Sequence, residues 1–324
     1  MPTTRKPRRG SMQFWPRKRA RKVLARRRVY PLMKEAKLMS FAGYKVGMCH
    51  ANIKDNKKTS MTKDNIISLP LTIIDCPPIK LLSLRLYQKN PDHGALFVSK
   101  EILLSNEKIL GRTLRPAKEL KDAKKEIEAI KVEDYVNVSV ICYTQPSLTT
   151  RGNKKPEIFE TGLGGSNKEK IEFIKNHIGK EIKISDVFSA GDLVDITGVT
   201  KGKGFQGTVK RFGVPIRQHK SEKTKRGVGT LGPWHPHHVL STVPQPGKMG
   251  YHTRTEYNKW IVQMSNADIN PKGGFKHYGL LKNDYILIKG SVAGPSKRVI
   301  RLTRPMRPDR LVPKEGPEVE NIFL

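Results

Sequence analysis

The chain has 324 residues, and its 62 lysines and arginines against 29 aspartates and glutamates leave a formal charge of +33. That length has room for two domains with buried cores, and that charge repels itself unless a polyanion neutralises it, which makes nucleic acid the leading partner. No stretch approaches the roughly 20 apolar residues of a membrane span, and the odd set Cys49, Cys76 and Cys142 has no C-x-x-C pair, which fits neither a disulfide framework nor a cysteine zinc site and points to a reducing compartment.

Residues 1–37 hold fourteen lysines and arginines and the single acid Glu35, a net of +13 with few residues able to build a core. Such a segment is expected to be disordered alone and to order on a polyanion. The arginine-rich start resembles a targeting peptide in composition. However, Pro2, Pro7, Pro16 and Pro31 interrupt any long amphipathic helix, and the charges come in blocks. Arg17, Lys18, Arg19, Arg26, Arg27 and Arg28 are the tail's candidate RNA contacts.

The next signals are short and β-like, at Leu71–Asp75 and Leu82–Leu86, each bounded by proline or charge. Residues 90–190 then carry seventeen basic and fifteen acidic residues, a net of only +2. This region reads as an independent α/β module with an ordinary mixed surface. Leu120, Ala123, Ile127 and Ile130 predict a helix near Lys118–Ile130, and Ile171, Ile174 and Ile178 another, stopped by Gly179; both stripes are read as core packing. Strand-like runs return at Leu193–Ile196, Tyr285–Ile288 and Arg298–Leu302. The pattern predicts a mainly β chain, a compact antiparallel barrel interrupted by the module at residues 90–186. The expected division is a basic extension at 1–40, barrel at 41–89 and 187–305 with a long basic loop at 201–260, and a tail at 306–324.

Gly202, Gly204 and Gly207 spell G-x-G-x-x-G after a strand-like segment. A dinucleotide site needs a helix next, yet Thr208 and Val209 are β-branched and Gly213 and Pro215 leave no room for several helical turns. The run also departs from a P-loop in spacing and in ending at Gly204. The same glycines would let backbone approach RNA phosphates while Lys201, Lys203, Lys210 and Arg211 neutralise them. From Lys201 to Arg226 nine basic residues meet only Glu222. Glycines follow, and then Trp234-His235-Pro236-His237-His238, a basic loop with a planar tip suited to stacking and phosphate contact. Arg217, His219, Lys223, Lys225, Arg226, Trp234, His235, Lys248, His252 and Arg254 complete the candidate RNA-binding set.

The histidines near Trp234 invite a metal reading, but no cysteine or carboxylate lies close in sequence to complete a ligand set, and distant His219 or His252 would have to be recruited. No serine elbow or carboxylate pair for acid–base chemistry emerges, so no catalytic residue, metal or cofactor is expected. An RNA-modifying enzyme and a free-standing RNA chaperone or regulator are the rival readings.

Seven stretches carry a resemblance. They are Gly10-Ser-Met-Gln-Phe-Trp-Pro-Arg-Lys-Arg19, Phe41-Ala-Gly-Tyr-Lys-Val-Gly-Met-Cys-His50, the glycine run Val199 to Gly207, and Gly232-Pro-Trp-His-Pro236. Further on come Gly250-Tyr-His-Thr-Arg-Thr-Glu-Tyr-Asn258, Ile269-Asn-Pro-Lys-Gly-Gly-Phe-Lys-His-Tyr-Gly279 and Asn283-Asp-Tyr-Ile-Leu-Ile-Lys-Gly290. Together they resemble the ribosomal large-subunit protein three family in its archaeal and eukaryotic branch, while residues 90–190 match weakly. The resemblance implies a translation-protein β-barrel with an inserted module and direct binding to large-subunit ribosomal RNA beside neighbouring ribosomal proteins. It also implies an early role in subunit assembly, residence in the cytoplasmic ribosome, and a central extension reaching toward the peptidyl-transferase centre. No enzyme activity, membrane or small-molecule substrate is expected. The family's tip tryptophan corresponds to Trp234 and its basic loop to Arg217–Arg226. Lys225 stands where many eukaryotic members have histidine, so a modification of that histidine does not carry over.

Overall fold

The structure is a computed structural model that describes residues 9–27, 29–115, 117, 122–221 and 223–324. In chain order the strands and helices are β1 (Ser40–Lys54), β2 (Ile66–Asp75), β3 (Ile79–Lys89), β4 (Leu96–Leu103), α1 (Ala123–Glu128), β5 (Asn137–Thr144), β6 (Ile158–Gly162) and α2 (Asn167–His177). They continue with β7 (Leu193–Val199), β8 (Gly202–Gln206), α3 (Thr208–Phe212), β9 (Gly247–Gly250), β10 (Thr253–Ser265), β11 (Tyr285–Lys289), β12 (Val299–Thr303) and β13 (Val319–Phe323). The chain is mainly β, as expected.

The contacts divide it into two compact units, Met1–Lys22 with Val199–Thr253, called here the basic unit, and Val23–Gly198 with Arg254–Leu324, called the body. In the body, the strand order β12-β7-β10-β11-β2-β1 closes through a β1–β12 pairing, so six strands form a barrel and β13 adds to the free half of β1. Closure leaves most of the barrel without exposed edges. β1 is long enough to serve three partners: Ser40–Tyr44 pair with β12, Tyr44–Lys54 with β2, and His50–Ile53 with β13. Gly43 makes this crossing possible, because a Cβ there would stand 2.6 Å from Ile74 Cγ2 and 2.9 Å from the Asp75 carbonyl oxygen.

The second sheet runs β4-β3-β5-β6. Leu82–Leu86, expected among the barrel strands, lies in β3 and pairs antiparallel with β4 and β5. A continuous apolar run fits either sheet; its partners decide. α2 begins with Ser166 and Glu169 in a reciprocal capping box, buries Ile171 and Ile174, and is followed by Gly179 at φ 72°. The expected helix near Lys118–Ile130 shortens to α1, and Lys118–Lys121 lie outside the described residues. One apolar cluster takes in barrel residues Phe41, Ile73 and Ile288 together with Leu84, Val140 and Ile171 from the second sheet and α2. The compact units therefore run across the division expected from sequence.

The tail also departs from expectation. Residues 1–8 and Arg28 lie outside the described residues, but Leu24 and Ala25 are buried in the body. Arg301, 1% exposed, holds this segment: its guanidinium donates to the Ala25 carbonyl (3.4 Å), Ser40 Oγ (3.1 Å), the Tyr30 hydroxyl and the Glu160 carbonyl. The rings of Tyr30 and Phe159 lie 5.7 and 5.2 Å from it. Burial lowers its pKa, so the hydrogen bonds must offset the cost of taking a guanidinium out of water.

Candidate nucleic-acid interface

The basic unit holds nineteen lysines and arginines in its sequence and one acid, Glu222, a net of +18. Neutralisation within the unit is therefore ruled out by composition. Its framework is the two-stranded ribbon β8–β9, in which Gly202 faces Gly250 and Phe205 faces Lys248. The glycine run thus joins the end of β7 to β8, with only Thr200, Lys201 and Gly207 outside the strands. Gly250, at φ 75°, is required where the strands cross: a Cβ there would lie 2.0 Å from the Lys201 carbonyl oxygen.

After β8 comes α3, a helix where β-branched residues argued against one. It has only five residues and ends at Gly213 in the left-handed region. Five residues are about one and a half turns, shorter than the helix on which a dinucleotide pyrophosphate rests. The chain then runs without regular structure to β9. Arg217 N–H donates to the Lys225 carbonyl (2.9 Å), and its guanidinium donates to the Val228 carbonyl, closing a basic turn.

Lys201, Lys203, Lys210, His219, Lys223, Lys225 and Arg226 are exposed on this framework, as are Lys18 and Arg19 of the tail. Trp234 is 81% exposed; its ring meets His237 edge-on at 5.5 Å, and His235 lies 4.4 Å from His237. A cation surface with a planar, solvent-facing tip suits phosphate contact and base stacking.

Two other predicted contacts, Arg211 and His252, serve the fold. Arg211 donates through Nε to the Lys248 carbonyl (3.1 Å) and through Nη1 to the Gln245 carbonyl (2.8 Å), tying the returning loop to α3. His252 is buried, with Nδ1 at 2.9 Å from the Lys18 carbonyl and 3.4 Å from Lys248 Nζ, and its N–H donates to Thr200 Oγ1 (3.1 Å). It fixes the tail to the ribbon. Arg17 lies 4.2 Å over the Phe212 ring and 5.4 Å from Trp15.

In the body, Arg27 pairs with the fully buried Asp195 (3.3 Å), while Arg26 is exposed. Arg254 sits half-buried on β10, its pKa lowered by burial. The expected loop at 201–260 therefore ends early: Thr253–Ser265 is barrel strand, and Trp260, 4% exposed, donates its indole N–H to the Gly191 carbonyl (3.1 Å).

A family model described as ribosomal protein L3 matches residues 1–324. The chain belongs to the ribosomal protein L3 family. It is 45% identical over 312 residues to the large ribosomal subunit protein uL3 of Methanocaldococcus jannaschii, covering 94% of this chain and 92% of that one. The uL3 protein of Methanothermobacter thermautotrophicus is 43% identical over 310 residues, covering 93% and 92%. That of Picrophilus torridus is 42% identical over 329 residues, covering 99% and 96%. Similarity therefore extends through residues 90–190, which carried little of the motif-level resemblance.

The closed barrel lies in the body, and the basic unit is the part of the chain poorer in acids. Residues the motifs did not single out also matter locally. Phe212 is 9% exposed and anchors both Arg17 and Gly10, where a Cβ would stand 3.0 Å from the ring. Its only advance signal was an aromatic residue embedded among cations.

Proposed function

We propose that this protein, a structural constituent of the large ribosomal subunit, binds large-subunit ribosomal RNA directly through its basic unit. The observation that carries the reading is the concentration of +18 with a single acid in that unit, presented on exposed lysines and arginines. Such a surface releases condensed counterions from RNA and is poorly suited to protein partners of ordinary composition. Arg17–Arg19, Lys201, Lys203, Lys210, the turn from Arg217 to Arg226, and Arg26 are the contacts we assign. Arg211, Lys248 and His252 position them.

The same reading gives the protein an early role in subunit assembly, because a unit so poor in neutralising acids gains most from RNA. It directs the exposed tip at Trp234 toward the peptidyl-transferase centre, with neighbouring ribosomal proteins against the body. It is not an enzyme. Sedimentation of cell extract is the test: the protein is expected to move with large subunits and to stay with them through washing at moderate salt. Recovery in the light fractions as a free RNA-associated species would instead support a regulator outside the ribosome.

A further inference from the structure

Within the basic unit, three sequence-distant segments enclose an open cleft of about 370 Å³, at the small end of the roughly 300–1,000 Å³ typical of ligand sites. Trp15 and Arg17 come from the tail, Phe212 from α3, and Leu240, Val243 and Gln245 from the returning loop. The cleft is held together from within. Arg17 lies 4.2 Å over Phe212, Gly10 packs on the same ring, and Arg211 donates to the Gln245 carbonyl at 2.8 Å.

We propose that this cleft receives one unstacked base of ribosomal RNA; the proposal rests on the RNA-binding reading above. The walls suit a planar, polar-edged ligand. Trp15 is half-buried, so its indole, which Arg17 approaches to 5.4 Å, is partly open for stacking, and Leu240 and Val243 line the same cleft. The exposed Gln245 amide and the Ser241 hydroxyl can hydrogen-bond a base edge. Leu240 remains 43% exposed and Val239 48%, so the described residues leave part of the apolar lining uncovered. Charge selects the occupant. The next residues, Lys18 and Arg19, are exposed cations, and Lys18 N–H donates to the Pro16 carbonyl (2.8 Å) in a turn beside Arg17. A base in the cleft therefore has its own backbone phosphates within a cationic surround. One such base would bridge tail and loop, giving the two segments a fixed arrangement on RNA.

The experiment measures binding of the full-length protein to two ribo-octamers of equal phosphate number, oligoadenylate and an abasic octamer. The wild-type protein is expected to prefer oligoadenylate by about tenfold, one stacked base's worth of affinity. Ser241→Phe, which fills the cleft from an exposed position, and Trp15→Ala, which removes a wall, are each expected to reduce that preference at least threefold. Abasic binding should stay unchanged. The reduction by Ser241→Phe should persist in a Trp234→Ala background, which separates the cleft from stacking at the loop tip. If both octamers bind and neither variant changes the preference, the base-site proposal is overturned and the cleft is left to an apolar side chain of a neighbouring protein. If neither octamer binds at low salt, the RNA-binding reading falls with it.

Discussion

Arg301 and Lys203 carry the same charge into opposite surroundings. Arg301, in the body, is 1% exposed and spends its donors on two carbonyls and two hydroxyls; Lys203, in the basic unit, stands on an open ribbon. The contrast extends to whole units. The body pairs some of its cations with acids, as in Arg27–Asp195 and Arg304–Asp192 (2.7 Å), and it contains the shared core of barrel and sheet. The basic unit has one acid for nineteen cations. A buried cation in the body is a fold residue, whereas an exposed cation in the basic unit is available to RNA on the reading proposed above, and substitution should separate stability from affinity along that line.

The largest effect belongs to the body. Arg301→Ala leaves the Ala25 and Glu160 carbonyls and the Tyr30 and Ser40 hydroxyls short of their donor. A loss of about 3–5 kcal/mol in stability is expected, read by denaturant unfolding. An effect below about 1 kcal/mol would break the comparison, since it would make the most buried cation dispensable.

In the basic unit the expected effects reverse. Replacing Lys201, Lys203 and Lys210 together by glutamine should reduce the salt dependence of RNA binding by about one counterion per lysine. Stability should stay within about 0.5 kcal/mol of wild type, as for exposed surface changes. Binding to a large-subunit RNA fragment and thermal unfolding of the free protein provide the two readings. Loss of the fold with no change in salt dependence would reverse the assignment.

Trp234→Ala sharpens the contrast with Trp260, the buried tryptophan of β10. The tip variant should leave the melting temperature nearly unchanged and still enter subunits, while, on the placement proposed above, peptidyl transfer or ligand binding at the peptidyl-transferase centre changes. Stacking lost at one base is worth about 1–3 kcal/mol, small beside the available phosphate contacts. A sharply lower melting temperature would place Trp234 in the fold instead.

The smallest effect is a pH response in the body. Burial pushes the Glu160 carboxyl up, but hydrogen bonds from Tyr87 and Ser139 and the charge of Arg85 outweigh it and hold the pKa below the usual value. Its stabilisation is therefore present above the ordinary carboxylate range and is lost as pH falls through the lowered value. Glu160→Gln should flatten that part of the acid-unfolding profile, and an unchanged profile would show that the cluster contributes nothing to folding.

The legible parts of the fold were the apolar runs. Leu71–Asp75, Leu193–Ile196, Tyr285–Ile288 and Arg298–Leu302 all fall in or overlap barrel strands, because short β-branched stretches bounded by turn residues have few other uses. β10 escaped notice because Thr253–Asn258 is polar and continues the basic loop's composition. β3 was visible as a strand but not as a member of the second sheet. At the site, the exposed lysines and Trp234 were legible from one-sided charge and flanking glycines. Arg27 and His252 were not, since a basic residue shows its burial only through partners distant in sequence, Asp195 and the Lys18 carbonyl. The tail's packing at Leu24 was hidden for the same reason: its cations looked like RNA contacts, while Arg301 waited at the far end of the chain.

The central claim is that the basic unit grips RNA by displacing counterions, and it is tested most directly by the affinity of the full chain for its large-subunit RNA site across a salt series. A logarithmic plot is expected to fall with a slope of about −4 or steeper, the signature of five or more neutralised phosphates. A slope near zero, with tight binding retained at high salt, would contradict the account and shift recognition to uncharged contacts.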